Sequence, residues 1–234
     1  MFTENYRSFK NILEGSDIKE SLMAIDLMFF NLEESMRNNY APGMKNKVFS
    51  AIYILTQLIM EAEKGGWSRK AIIDELPNTL RIHDQSSFAR YIRECPRNIK
   101  GDFNMINMIV DRKEDAAQNS LGWVIGDYAL NSSITQQHRE KIAIQARLIK
   151  ETCERVKGAH IISIACGSAR DIELVQKEIK NSGAKIFLFD SDREALDDAV
   201  SRLQSIENQI ETICMDVVKL PKVVKKLSGD NGNS

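Results

Sequence analysis

The apolar positions of this chain follow two different periods. Up to about residue 157, apolar side chains recur every three or four residues, which is the spacing of helices that bury one face. The first predicted helix follows a cap at Ser16 or Asp17, and the second ends at Gly65 and Gly66. Their expected core positions are Leu22, Ile25, Met28, Phe29, Leu32, Val48, Ile52, Leu55, Leu58 and Ile59.

More helices are predicted along the rest of this half. Shorter segments cover residues 68–77, parts of 80–98 and residues 121–130, and a long helix runs from about 134 to 156. Gly158 is expected to end it. These elements together predict an all-helical N-terminal domain over residues 1–157.

After Gly158 the period changes. The stretches "HIISIACG", "AKIFLFDSD" and "QIETICMDVVKL" are short apolar runs typical of buried strands. Two amphipathic segments alternate with them, "ARDIELVQKEIKNSG" and "REALDDAVSRLQSIEN", and "PKVVKKLSG" is a candidate start of a third helix. This alternation predicts three parallel strands, the first half of a Rossmann-like domain over residues 158–234. The predicted fold class is therefore α/β.

Composition narrows the class of protein. The 234 residues carry a formal net charge of −1, so no basic field favours nucleic acid or an anionic membrane surface as a partner. No run approaches the roughly 18 apolar residues of a membrane span. The four cysteines and three histidines are scattered, which argues against a metal site and for a reducing, cytoplasmic location.

Candidate chemistry lies where the predicted strands end, because ligands bind beyond the carboxyl ends of parallel strands. Gly167 follows the first strand, and an acid, Asp190, follows the second a little over twenty residues later. A carboxylate there can accept hydrogen bonds from both ribose hydroxyls, and Asp216 after the third strand can accept one from an adenine amine. The predicted cofactor contacts are Ala165, Cys166, Gly167, Ser168, Asp171, Asp190, Ser191, Asp216 and Val217.

The turn after the first strand disfavours a diphosphate. Dinucleotide sites use G-x-G-x-x-G, so that bare backbone approaches the phosphates, whereas Ala169 and Asp171 stand where further glycines are expected. The Asp171 carboxylate would also repel phosphate charge. An NAD-dependent oxidoreductase is therefore a weaker interpretation than a protein whose nucleoside cofactor carries no phosphate.

Three motifs carry a resemblance to a family. "IISIACGSARDI", "FLFDSDREAL" and "ICMDVVKL" resemble the first three motifs of class I S-adenosylmethionine-dependent methyltransferases. The resemblance implies that Gly167 lies under the methionine end, that Asp190 holds the ribose and that Asp216 faces the adenine. Ala165 replaces the acid that the family usually carries before this turn.

The helical half adds a narrower resemblance. "CPRNIKGDFNMINMI", followed by a long helix and the first strand, is similar to bacterial methyltransferases of 3-hydroxypalmitic acid methyl ester biosynthesis. That implies methyl transfer from S-adenosylmethionine to the carboxylate of a small acid or hydroxy fatty acyl chain, with no metal. Candidate substrate contacts are Arg97, Gly101, Asp102, Phe103 and Tyr128, and Arg90, Tyr91 and His138 are further candidates. No catalytic residue is assigned.

Several of these residues have structural alternatives. Asp190 competes with Asp192 as the N-cap of the next helix, and Asp192 is better placed to cap. Asp216 can simply end its strand, and Asp171 can serve only as a first-turn partner of the helix dipole. Asp102 can cap a helix. Cys166 is expected to fill space beside the cofactor rather than to act as a nucleophile.

The strand count raises a second hypothesis. The methyltransferase sheet has seven strands and only three are predicted here, so we expect a truncated polypeptide whose last strand has an open apolar edge. That open edge is a candidate surface for a homodimer. The alternative function is therefore a helical interaction or dimerisation module on an incomplete, non-catalytic Rossmann-like domain.

Overall fold

The computed structural model describes residues 17–38, 40–41 and 43–219. Helices occupy most of the first 155 residues: α1 Ile18–Asn38, α2 Met44–Lys64, α3 Arg69–Asp74, α4 Pro77–His83, α5 Ser87–Glu94, α6 Phe103–Asp111, α7 Leu121–Leu130 and α8 Ser133–Arg155. Strands and helices then alternate: β1 His160–Ile164, α9 Arg170–Glu173, α10 Gln176–Ser182, β2 Lys185–Asp190, α11 Arg193–Arg202 and β3 Ile210–Cys214. The α/β prediction is confirmed at this level, with helices first and parallel strands after them.

The chain divides into two compact units. The helical unit consists of the described parts of residues 1–98 together with 112–132. The sheet unit consists of residues 99–111 and the described residues from 133 onward. It therefore includes α6 and α8, which the sequence analysis assigned to the N-terminal domain ending at residue 157. Helix α8 belongs to the sheet unit because its Ala146 and Cys153 are buried in the same core as the strands.

In the helical unit, α1 and α2 supply most of the core. Helix α1 begins just after Asp17, whose carboxylate accepts from the amide of Lys19 at 3.3 Å. The predicted inward positions of α1 and α2 are buried or packed against the core: Leu22, Ile25, Phe29, Leu32, Val48 and Leu58 are buried, and Met28, Ile52, Leu55 and Ile59 are partly buried. The helical period thus predicted the packed faces of both helices.

The helical unit also contains a buried carboxylate. The side chain of Glu33 is 4% exposed. Its two carboxylate oxygens accept hydrogen bonds from the two terminal guanidinium nitrogens of Arg81, at 3.0 and 2.6 Å. Gln85 donates a further hydrogen bond, and Arg37 lies 3.2 Å away. Hydrogen bonding by Arg81 outweighs burial and lowers the pKa of Glu33 to about 2. Glu33 therefore ties α4 to α1 as a fixed anion.

The sheet has the order β1-β2-β3, and both pairings are parallel. Ile186 and Leu188 of β2 point to one face and are fully buried against a core that includes Ile172 and Ile179, from α9 and α10, and Leu196 from α11. The helices that follow β1 and β2 therefore cover the same face of the sheet. In the part of the chain that the structure describes, β1 and β3 each pair only with β2.

The other face of the sheet is more open along β1. Ile162 and Ile164 are in register with Phe187 and Phe189 of β2, and they are 51% and 47% exposed. Parallel strands with apolar residues on both faces normally have both faces covered. The described residues leave this part of β1 uncovered.

Two sequence predictions need correction in detail. The segment predicted as one helix between residues 169 and 183 is interrupted at Val175, whose φ of −129° is not helical, so α9 and α10 are separate. The side-chain amide of Gln176 donates to the carbonyls of Glu173 and Arg202 there, at 3.5 and 3.1 Å. After α11, residues 204–209 form two short 3-10 turns that meet at a kink at Ile206, whose φ is −130°. The candidate helix "PKVVKKLSG" lies outside the described residues.

Across residues 17–38 and 43–219, no helix combines the length and the apolar character that crossing a membrane requires.

Candidate functional site

The three strands deliver their carboxyl ends to one edge of the sheet, where the predicted contacts meet. Residues 165–169 form the β1 turn. It is held to β2 because the amide of Cys166 donates to the carbonyl of Phe189 at 3.1 Å. The amide of Met215 donates to the carbonyl of Asp190 at 2.8 Å, which holds the segment after β3 against β2. The ends of all three strands are thus joined by backbone hydrogen bonds.

Asp190 connects two of these strand ends through its side chain. Its Oδ2 accepts from the amide of Gly167 at 2.8 Å, and its Oδ1 accepts from the amide of Asp192 at 2.9 Å. Asp192 caps α11 instead, with its carboxylate accepting from the amide of Glu194 at 3.1 Å. Each Asp190 oxygen keeps lone-pair capacity for another donor. The structure therefore gives the capping role to Asp192 and leaves Asp190 partly exposed at the sheet edge.

The β1 turn has a strained backbone. Ala165, Gly167 and Ala169 all have left-handed conformations, with φ of 52°, 53° and 51°. For an alanine this conformation costs about 1–2 kcal/mol, because its Cβ approaches the next carbonyl oxygen. Such strain persists only where the surroundings fix the backbone. The turn is therefore held in place by its neighbours rather than by its own sequence.

Two groups, one in the β1 turn and one just after it in α9, have shifted pKa values. Burial, followed by the nearby charges of Asp190 and Asp171, raises the pKa of the Cys166 thiol to about 12. The thiol stays protonated at neutral pH, which fits the predicted filler role and not a nucleophile. Burial also raises the pKa of Asp171, while backbone hydrogen bonds and the charge of Lys141 oppose that shift.

The segments after β2 and β3 contribute exposed groups. Asp216 is exposed, and its Oδ1 accepts from the amide of Val218 at 3.0 Å in a local turn. Val217 is 51% exposed, and Ser191 is exposed as well. The carbonyl of Ser191 accepts weakly from the thiol of Cys214 at 3.6 Å. All three predicted contacts are accessible to a ligand at this edge.

The charges around the β1 turn suit some ligands better than others. Arg170 is the cation next to the turn in sequence, but its guanidinium pairs with Asp111 and, at 2.9 Å, with Glu173. The amide of Gly167 faces the Asp190 carboxylate, and Asp171 lies on the same turn's helix. A diphosphate would therefore meet two carboxylates and an amide that is already bound. A neutral nucleoside or a cationic group meets no such penalty.

Helix α6 brings in a residue that sequence reasoning missed. Asn107 is buried, and its Oδ1 accepts from the hydroxyl of Ser168 at 2.9 Å. Its Nδ2 donates to Asp198 of α11 at 3.1 Å. The available signal was the second of two asparagines in the largely apolar run "FNMINMIV", because a buried amide needs hydrogen-bonding partners. Nothing local in the sequence names partners 61 and 91 residues away.

The segment before α6 has a clear structural role. Asp102 is buried, and its carboxylate accepts from the amide of Met105 at 2.9 Å, which caps α6. Gly101 is left-handed, with a φ of 75°. Phe103 lies near the β1 turn, since a Cβ added to Gly167 would be 3.7 Å from the Cβ of Phe103. Gly101, Asp102 and Phe103 all belong to the sheet unit. Of the three, Phe103 is the residue beside the β1 turn.

The remaining substrate candidates are distributed over both units. Arg97 and Tyr128 belong to the helical unit, where the ring of Tyr128 packs edge-on against Phe49 at 5.0 Å between centroids. Arg90 and Tyr91 lie in α5 of the same unit, and His138 lies in α8 of the sheet unit. Tyr128 therefore has a packing role within its own unit.

Within the described residues, no group of three His, Cys, Asp or Glu side chains is arranged to hold a metal ion. The four cysteines are free thiols.

Comparisons with models of protein families, with curated proteins and with solved structures gave no match to this chain.

Proposed function

We propose that the carboxyl edge of the sheet binds S-adenosylmethionine, and that the protein transfers its methyl group to the carboxylate of a small acid or hydroxy fatty acyl chain. In this proposal the three strands are the first half of a Rossmann-like domain. The observation that carries it is the 2.8 Å hydrogen bond from the Gly167 amide to Asp190, which sets the glycine turn and the acid side by side.

The residues present fit this cofactor in chemical type. Asp190 has acceptor capacity for ribose hydroxyls, and Asp216 is exposed where an adenine amine would donate. The cofactor carries a sulfonium cation and no phosphate, so the carboxylates of Asp171 and Asp190 favour it. The same carboxylates disfavour NAD.

The chain's contribution to catalysis is positioning. Bound S-adenosylmethionine supplies an activated methyl group, and such displacement depends mainly on alignment and exclusion of water. Asp190 would fix the nucleoside, and Gly167 would let the methionine end approach the backbone. The protonated Cys166 thiol would offer a neutral surface beside them.

Calorimetric titration with S-adenosylhomocysteine, run beside NAD, tests the proposal. We expect micromolar binding of S-adenosylhomocysteine, about −8 kcal/mol, and at least tenfold weaker binding of NAD because of the carboxylates at the turn. Tighter binding of NAD, or no binding of S-adenosylhomocysteine by the full-length protein, would contradict it.

One observation favours a second candidate function. Ile162 and Ile164 of β1 are about half exposed, as on a surface that another chain covers. If the chain is an interaction module on a non-catalytic domain, the same titration gives no heat with either ligand. The molecular mass measured by light scattering would then rise with protein concentration.

A further inference from the structure

The strained β1 turn is fixed from two sides. On the β2 side, Asp190 accepts from the amide of Gly167. On the other side, Ser168 is 3% exposed and donates its hydroxyl to Asn107 of α6. Ser168 and Asn107 form a polar cluster with Asp198 and Arg202 of α11. Two left-handed alanines persist in a turn only where the surroundings fix the backbone, and these two contacts are candidates for that restraint.

Asn107 is the centre of that cluster. Its Oδ1 accepts from Ser168 at 2.9 Å and lies 3.4 Å from a guanidinium nitrogen of Arg170. Its Nδ2 faces Asp198 at 3.1 Å. Since a carboxylate offers only acceptors, the amide nitrogen must point to Asp198 and the amide oxygen to Ser168.

The far side of the cluster is equally fixed. Arg202 donates to Asp198 at 2.7 Å, and both residues belong to α11. Burial opposes ionisation of Asp198, but hydrogen bonding by Arg202, Asn107 and Ser168 and the charge of Arg202 outweigh it and lower its pKa. The acceptor of Asn107 is therefore a stable anion at neutral pH, which fixes the orientation of the amide.

We propose that Asn107 is a positioning residue of the ligand site. It holds Ser168, and through Ser168 it keeps the β1 turn in the conformation that presents the Gly167 amide to Asp190. It acts through the turn and has no ligand contact of its own. The identity of the ligand rests on the function proposed above, whereas the effect on the turn does not.

The first test uses the protein without ligand. We expect Asn107→Ala and Ser168→Ala to speed hydrogen exchange of the Gly167 amide, followed by NMR, by about tenfold, since each removes the buried hydrogen bond between Ser168 and Asn107. The double variant should exchange hardly faster than either single variant, because both substitutions break the same bond. Should Asn107→Ala fail to fold, Ser168→Ala carries the test, as it removes only a hydroxyl.

Asp111→Ala is the matched control. It lies on the same helix and pairs with Arg170 directly after the turn, but it has no bond to Ser168. We expect it to leave exchange at Gly167 unchanged. Equal exchange at Gly167 in wild type, Asn107→Ala and Ser168→Ala would overturn the proposal, as would an equal increase in Asp111→Ala.

The second test adds S-adenosylhomocysteine as the probe. We expect Asn107→Ala to raise its dissociation constant about tenfold, with no such change in Asp111→Ala. Faster Gly167 exchange in a protein whose wild type binds no S-adenosylhomocysteine would support the positioning role and refute the proposed function. If wild type binds S-adenosylhomocysteine and Asn107→Ala binds it with the same affinity, the positioning role is overturned and the proposed function stands.

Discussion

Replacing Asp190 with alanine is expected to weaken binding of S-adenosylhomocysteine by about tenfold or more. Hydrogen bonds to a charged group are worth roughly 1.5–3 kcal/mol, and in the proposed site Asp190 would hold the ligand as well as the amide of Gly167, which it accepts from at 2.8 Å. Asp190→Asn should also weaken binding, because an amide keeps one acceptor oxygen and adds donors that oppose the Gly167 amide. Calorimetry on both variants measures the effect.

Asp192→Ala is the control for this prediction. Asp192 caps α11 by accepting from the amide of Glu194, so its loss should cost about 1 kcal/mol of stability. Affinity for S-adenosylhomocysteine should stay close to that of wild type. Normal affinity in Asp190→Ala, or equal losses in the two alanine variants, would refute the assigned role of Asp190.

The largest expected effect on stability is in the helical unit, at Glu33. Its pKa of about 2, against an ordinary 4.5, corresponds to about 3 kcal/mol of stabilisation at neutral pH. Glu33→Gln should lower the free energy of unfolding by about that amount at pH 7, since it leaves Arg81 without its anion. Denaturant unfolding at a series of pH values measures the difference.

The sign of the pH dependence follows from the lowered pKa. A carboxyl group whose pKa falls on folding stabilises the folded state above the unfolded pKa, and that contribution is lost as pH falls from about 4.5 towards 2. The difference between wild type and Glu33→Gln should therefore shrink across this window. Glu34→Gln is the control, because the side chain of Glu34 is 45% exposed where it pairs with Arg37 and should contribute under about 1 kcal/mol. A difference that stays constant with pH would contradict the assignment.

Local sequence pattern predicted much of this fold for a physical reason. Helical spacing identified the buried faces of α1 and α2, because the same side chains that define the period form the core. Short apolar runs likewise identified the three strands found within residues 17–219, and strand ends identified the edge where Gly167 and Asp190 meet. In each case one short stretch of chain contains the whole signal.

Features that depend on distant partners could not be predicted. Asn107 contacts Ser168 and Asp198, which are 61 and 91 residues away, and nothing near Asn107 announces either contact. The assignment of α6 and α8 to the sheet unit has the same cause, since helical period shows which face is buried but not against what. The break at Val175 was also missed, because the amphipathic pattern continues across it.

The most direct test of the central claim is to locate the ligand on the protein by NMR. Titration with S-adenosylhomocysteine should shift the backbone amides of Gly167, Ser191 and Val217 along one saturable curve, because these residues occupy the ends of the three strands. The chemical shifts of amides in the helical unit, such as those of α2, should not change. Saturable shifts confined to the helical unit, or no shifts at millimolar ligand, would contradict the assignment of this edge as a nucleoside site.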